Sequence, residues 1–95
     1  MKRLTWHEPK RLSNLKKHKL DFAHLVDFDE ASALVAEDTR GKTDPKFAYS
    51  EPRHIALGLM RGTLVVLVYS ETKNGWRVIS LRPANEKEAK LWLGK

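Results

Sequence analysis

Three residues with reactive side chains share one sheet face when strand parity is counted along this 95-residue chain: His54, Ser80 and Arg82. Side chains alternate along a strand. In His54–Met60, His54, Ala56, Gly58 and Met60 therefore point one way, and Ile55, Leu57 and Leu59 the other. In Trp76–Leu81, Ile79 and Leu81 share a face with Arg77, while Val78, Ser80 and Arg82 lie opposite. The apolar Ile55, Leu57 and Leu59 face is expected to meet the helices. The other face then offers His54, Ser80 and Arg82 around small residues. An imidazole titrates near neutral pH, and a guanidinium fork matches the shape of phosphate. A shallow surface of this kind could admit an RNA strand. The residues alone fit a partly wet and chemically inert face better, since antiparallel sheets commonly leave one.

The elements that position these residues follow from local signals. His54–Met60 and Leu64–Tyr69 flank Arg61-Gly62, a tight hairpin signal, and Trp76–Leu81 follows Asn74-Gly75, a type I′ turn signal. The apolar run Leu64–Tyr69 belongs in mid-sheet, covered on both faces. Upstream, Leu4-Thr5-Trp6 reads as a short strand. Pro9 suits the first turn of a helix in which Leu12 and Leu15 form a narrow apolar stripe. Lys10, Arg11, Asn14, Lys17 and His18 fill the rest of its circumference. Asp21 caps a second short helix with Phe22, Leu25 and Val26 at helical spacing, and Ala33–Ala36 reads as a strand. Residues 39–52 form a long loop with Gly41, Pro45 and Pro52. Asn85 followed three residues later by Glu88 is a capping-box pattern, and Ala89, Leu91 and Trp92 pack that last helix on the sheet. The order β-α-α-β-β-β-β-α describes one α+β domain over residues 1–95. Its mostly antiparallel sheet has four to five strands.

Charge is unevenly placed. The chain carries 18 Lys+Arg and 12 Asp+Glu, a net charge of +6. Residues 1–20 hold seven positive charges and one negative; residues 21–38 hold six negative and none positive; residues 39–95 hold eleven positive and five negative. A basic body favours polyanions by neutralising phosphates and releasing counterions. It also fits a merely well-solvated surface. The acidic segment is expected to face away from any polyanion. With 41% hydrophobic residues, wholesale disorder is excluded, and the absence of cysteine fits a reducing compartment such as the cytoplasm. The basic start lacks the apolar run of a signal peptide, and no run approaches a membrane span.

Several chemistries are set aside. The five glycines do not cluster into a phosphate-cradling loop, and His7, His18, His24 and His54 lack metal-ligand spacing. Asp27 and Asp29, or Glu37 and Asp38, read better as solvated turns than as a cation site. No serine sits in a nucleophile elbow. No cofactor is expected.

An ordered set of motifs spans nearly the whole chain. It begins with Trp6-x-x-x-Lys10-x-x-x-Asn14-Leu15-x-Lys17-His18, then Phe22, and Glu37-Asp38-Thr39-Arg40. Glu51-x-Arg53-x-Ile55-x-x-Gly58 and Val68-Tyr69 follow. Arg77-Val78-Ile79-Ser80-x-Arg82-x-Ala84 and Glu88 complete it. In this the sequence resembles the BrnT family of toxins from bacterial type II toxin–antitoxin modules. The resemblance implies a RelE-like fold and a metal-independent endoribonuclease that arrests growth. It also implies neutralisation by a cognate BrnA-like antitoxin of ribbon-helix-helix type, through which alone operator DNA is bound. RNA supplies its own nucleophile, the 2′-hydroxyl. The protein must align it, take its proton, stabilise the phosphorane and protonate the leaving oxygen. On that reading the candidates rank Arg82, Arg53, His54, Arg77 and Arg40, with His54 as acid or base and the arginines on the phosphate. Glu37 or Asp38 flank the loop and could join on closure. Lys10, Lys16, Lys17, Ser80 and Trp92 would bind RNA, with Trp92 stacking a base. The bland alternatives are a non-catalytic nucleic-acid-binding module or a partner-binding subunit. In these each arginine makes a surface ion pair, and Trp6 and Trp92 pack in the core.

Overall fold

A computed structural model describes residues 3–38 and 52–95. Of the loop expected over residues 39–52 only Pro52 is described, so Arg40 lies outside the described residues. The elements are β1 (Leu4–Trp6), α1 (Glu8–His18), a 3-10 helix (Phe22–Asp27), β2 (Leu34–Glu37), β3 (Arg53–Met60), β4 (Thr63–Thr72), β5 (Gly75–Pro83) and α2 (Glu86–Leu93). This is the expected order and an α+β fold. Among the described residues, no helix is long and apolar enough to cross a membrane.

Local chemistry accounts for the boundaries. Pro9 sits in the first turn of α1, and Lys16, Lys17 and His18 stand at its C-terminal end, where the helix dipole favours cations. Lys19 closes it in the left-handed region, at φ 60°. The Asp21 carboxylate accepts from the Ala23 N–H at 2.9 Å and starts the 3-10 helix. Asn85 accepts from the Glu88 N–H at 2.8 Å while Glu88 accepts from the Asn85 N–H at 2.9 Å, the reciprocal cap that begins α2.

The five strands lie in the order β1-β5-β4-β3-β2, antiparallel except for the parallel β1–β5 pair. As expected, the apolar run falls on the central strand, β4. Arg61 and Gly62 both have positive φ, as a type I′ turn requires. The next hairpin closes one residue earlier than expected. Thr72 pairs with Gly75, so Lys73 and Asn74 make the turn. Gly75 is needed for another reason. β1 approaches so closely that a Cβ there would lie 2.1 Å from the Arg3 carbonyl oxygen, and its φ is +128°.

The core lies on one face of the sheet. Phe22, Leu25, Ala56, Met60, Val65, Leu67, Tyr69, Trp76, Val78 and Leu81 form one buried cluster. Trp6 packs edge-on against Phe22, with ring centroids 6.0 Å apart. Fully burying a side chain such as Phe22 is worth roughly 1.5–3 kcal/mol. Ala56 and Met60 face this cluster, whereas Ile55 and Leu57 face the other side, where they line a depression with Leu34, Ala36, Val66 and Leu91 of α2. The expected assignment of faces is therefore reversed for the 3-10 helix, whose Phe22 and Leu25 lie in the core cluster, while α2 lies on the expected face. The small residues of β3 serve close packing rather than an open surface. A Cβ on Gly58 would lie 2.9 Å from the Phe28 ring.

A second correction concerns parity in β5. Val68 pairs with Ser80 and Tyr69 with Val78, so Ile79 is an extra residue, a β-bulge. The bulge re-phases the strand. Trp76, Val78 and Leu81 all enter the core, and Arg77, Ser80 and Arg82 all lie on the opposite face. His54 pairs with Tyr69 on the core face. The expectation that His54 shares a face with Ser80 and Arg82 is overturned.

α1 also departs from its expected stripe. Leu12 is 53% exposed, and the buried residue of the helix is Asn14. β1 is only three residues long and pairs with Trp76–Val78, so among the described residues β5 has no strand partner on that edge beyond Val78. Asn14 substitutes for one. Its side-chain amide donates to the Leu81 carbonyl at 2.8 Å, and its side-chain oxygen accepts from the Leu81 N–H at 3.0 Å. It also donates to the Leu20 carbonyl at 3.1 Å.

Candidate functional site

The face opposite the core carries a transverse row. Arg53 of β3 pairs with Ser70 of β4, Ser70 with Arg77 of β5, and Arg77 with Thr5 of β1. Neighbouring strands are about 4.8 Å apart, which puts the Arg53 and Arg77 backbones roughly 10 Å apart. Ser70 between them is fully buried, and its hydroxyl has no hydrogen-bond partner among the described residues. Ser80 and Arg82 follow on the same face of β5.

Arg82 is held in place. Its Nη1 and Nη2 donate to Glu88 Oε1 and Oε2 at 2.8 and 2.7 Å, a two-bond fork between the end of β5 and α2. Nη1 also reaches the Pro83 carbonyl at 3.3 Å. The Arg82 guanidinium lowers the pKa of Glu88, helped by the Asn85 N–H, and Glu88 raises that of Arg82. The fork leaves Nε–H and one Nη2 hydrogen uncommitted among the described residues.

His54 is elsewhere. It stacks on Tyr69, with centroids 5.3 Å apart, and Tyr69 stacks on Trp76 at 4.0 Å. Burial, and then Glu71 and Glu30, raise the Tyr69 pKa. Trp92 donates from its indole N–H to the Ser32 carbonyl at 3.3 Å, and the Lys95 ammonium lies 4.6 Å from its ring centroid.

At the open edge of β5 the structure brings other expected residues together. Lys10, Ser13, Asn14, Lys17 and His18 of α1 and Ile79 and Ser80 of β5 line a cleft of ≈ 250 Å³. Lys16 is exposed outside its lining. The acidic segment sits against other partners. Asp21 pairs with Arg11 at 3.1 Å, Asp27 with Arg61 at 2.6 Å, and Asp29 accepts from Ser32 at 2.6 Å. The Ala23 N–H, and then Arg11, lower the Asp21 pKa. Among the described residues, no group of three or more His, Cys, Asp or Glu is placed to hold a metal ion.

Sequence reasoning missed two residues of this region. Ser70 carried a signal, a polar residue ending the apolar strand in register with the arginines. Glu88 was legible only as a helix cap.

The chain is a small α+β domain with its core on one sheet face and Arg53, Arg77 and Arg82 on the other. The model of the family described as ribonuclease toxin, BrnT, of type II toxin–antitoxin systems matches residues 6–88. The chain belongs to that family. The crystal structure of the Brucella abortus ribonuclease toxin, BrnT, is similar, with 28% sequence identity and a TM-score of 0.67. The match covers 90% of this chain and 100% of that one. No curated protein matches the chain.

Proposed function

We infer that the chain is a cytoplasmic endoribonuclease toxin that cleaves RNA on the face bearing Arg53, Ser70, Arg77, Ser80 and Arg82. The observation that carries this reading is the β5 bulge, which gathers Arg77, Ser80 and Arg82 on the face of Arg53. The RNA 2′-hydroxyl gives its proton to water and attacks the adjacent phosphorus; the bond to the 5′-oxygen breaks as that oxygen takes a proton from water, leaving a 2′,3′-cyclic phosphate. Arg53 and Arg77 straddle the phosphate from the two strands that flank β4 and stabilise the phosphorane charge. Arg82, fixed by Glu88, offers its remaining N–H groups to the same charge. His54, on the other face, takes no part in this site. Because RNA brings its own nucleophile, the reaction needs no metal ion. The partner is a cognate DNA-binding antitoxin that neutralises the toxin and connects it to operator DNA.

The test is cleavage of a labelled RNA in excess EDTA by the wild type and by Arg77→Ala. Cleavage that persists in EDTA and is lost in the folded variant supports the reading. Intact RNA with the wild type, bound with a steep salt dependence, favours the non-catalytic binding module instead.

A further inference from the structure

We propose that the cleft between α1 and β5 is a second phosphate site, which grips the backbone of the RNA strand outside the arginine row. The inference rests on the RNA reading above and gives that reading its second point of contact.

The cleft has a structural origin. β1 stops at Trp6, so from Ile79 onward β5 is flanked by a helix instead of a strand. A helix cannot approach as closely as a strand, which lies about 4.8 Å away. Asn14 closes the gap at Leu81 only. The space beside Ile79 and Ser80 remains open, and α1 lines it.

The lining suits an anion. Lys10 and Lys17 are seven residues apart, so they fall on one side of the helix, with Ser13 and Asn14 between them. Among the described residues, no acidic side chain lines the cleft. Ser13 and Ser80 bring hydroxyl donors, His18 brings a ring N–H donor, and the lysines bring two ammonium groups. Ser80 belongs both to the cleft and to the face of Arg77 and Arg82. A strand crossing that face therefore reaches the cleft by passing Ser80. The acidic groups nearest in sequence, Glu8 and Asp21, are both engaged by Arg11.

The probe is a short 2′-O-methyl RNA oligonucleotide, which lacks the nucleophile and stays intact. Its affinity is measured against salt concentration for the wild type, Lys17→Ala and Lys16→Ala. These neighbours carry the same charge about 100° apart on the helix. Each phosphate neutralised on a single strand adds about 0.7 to the slope of log affinity on log salt. Lys17→Ala is expected to lower the slope by about 0.7, and adding Lys10→Ala doubles the loss. Lys16→Ala lowers it by much less. Ser13→Glu, which places a carboxylate in the cleft with every lysine retained, weakens binding more than Lys17→Ala. Equal losses from Lys16→Ala and Lys17→Ala reduce the cleft to diffuse attraction and overturn the proposal. An unchanged slope in Lys17→Ala, with loss of binding to a poly-glutamate peptide, assigns the cleft to an acidic protein segment and also overturns it. Because the oligonucleotide cannot be cleaved, these outcomes stand apart from whether the arginine row is catalytic.

Discussion

Asn14 and Leu81 exchange two hydrogen bonds, side chain to backbone, so that a helix side chain completes the ladder of a strand. β1 is too short to reach this point of β5, and the buried Leu81 N–H and carbonyl would otherwise go unsatisfied. Leaving a buried backbone group without a partner costs about 1–3 kcal/mol. Asn14→Ala orphans two such groups, so the expected loss of stability is about 2–4 kcal/mol in urea unfolding. Asn14→Asp keeps the acceptor and loses the donor, and falls between. A loss below about 0.5 kcal/mol in Asn14→Ala, the level of an ordinary surface substitution, would show that this bond pair does not hold α1.

Glu88 ties α2 to β5 with a carboxylate whose pKa is lowered by Arg82. Such a group stabilises fully above its ordinary value of 4.5, and the contribution is lost as pH falls through the lowered folded value. Glu88→Gln removes that dependence. The difference in melting temperature between wild type and Glu88→Gln is expected to be positive at about pH 6 and to shrink towards zero near pH 3. The pair is partly exposed, so its loss costs about 1 kcal/mol, with a similar amount when Glu88→Ala also removes the cap. A difference that stays constant with pH would remove the ion pair from the account.

Arg77 and His54 lie on opposite faces and should separate by assay. Arg77→Ala is expected to lower the rate of RNA cleavage about 100-fold, the scale of one lost charge-stabilising donor, with the melting temperature little changed. His54→Ala loses a ring contact in the stack on Tyr69 and is expected to cost about 1 kcal/mol of stability. A His54→Ala protein as stable as the wild type but unable to cleave RNA would return the imidazole to the chemistry.

Gly75 admits the Arg3 backbone where no side chain fits. Gly75→Ala brings a Cβ against that carbonyl oxygen at a φ that favours glycine. The expected cost is at least about 2 kcal/mol, read by thermal unfolding, because the contact is backbone on backbone and cannot rotate away. Gly62, with open space around its missing Cβ, is the control and loses only the cost of its positive φ.

The fold was largely legible because its signals are local. Pro9, Asp21, the Asn85 and Glu88 pair and the turn at Arg61-Gly62 each act within four residues. The face assignment was not legible, because the main core lies on the Ala56 and Met60 side of β3 instead of its more apolar side, and in β5 one extra residue, Ile79, inverts everything beyond it. Nothing local marks Ile79 as a bulge, since isoleucine is an ordinary strand residue. Asn14 was legible as part of the polar side of α1 but not as its buried residue. A pattern search rewards Leu12, whereas the open edge of β5 rewards an amide. The arginines were found by type. Their common face, and the cleft holding Lys10 and Lys17, came from the tertiary arrangement alone.

The parallel pairing of β1 with β5 joins Leu4 to Trp76 across almost the whole sequence. During synthesis the first strand leaves the ribosome long before its partner exists. α1, which follows β1 directly, waits as well, because its brace is at Leu81. The basic face and the cleft beside it are therefore among the last features to form, and a nascent chain carries no assembled site while most of its length is being made. Contacts of such long range also slow folding. A newly made chain thus has an interval before that surface is complete.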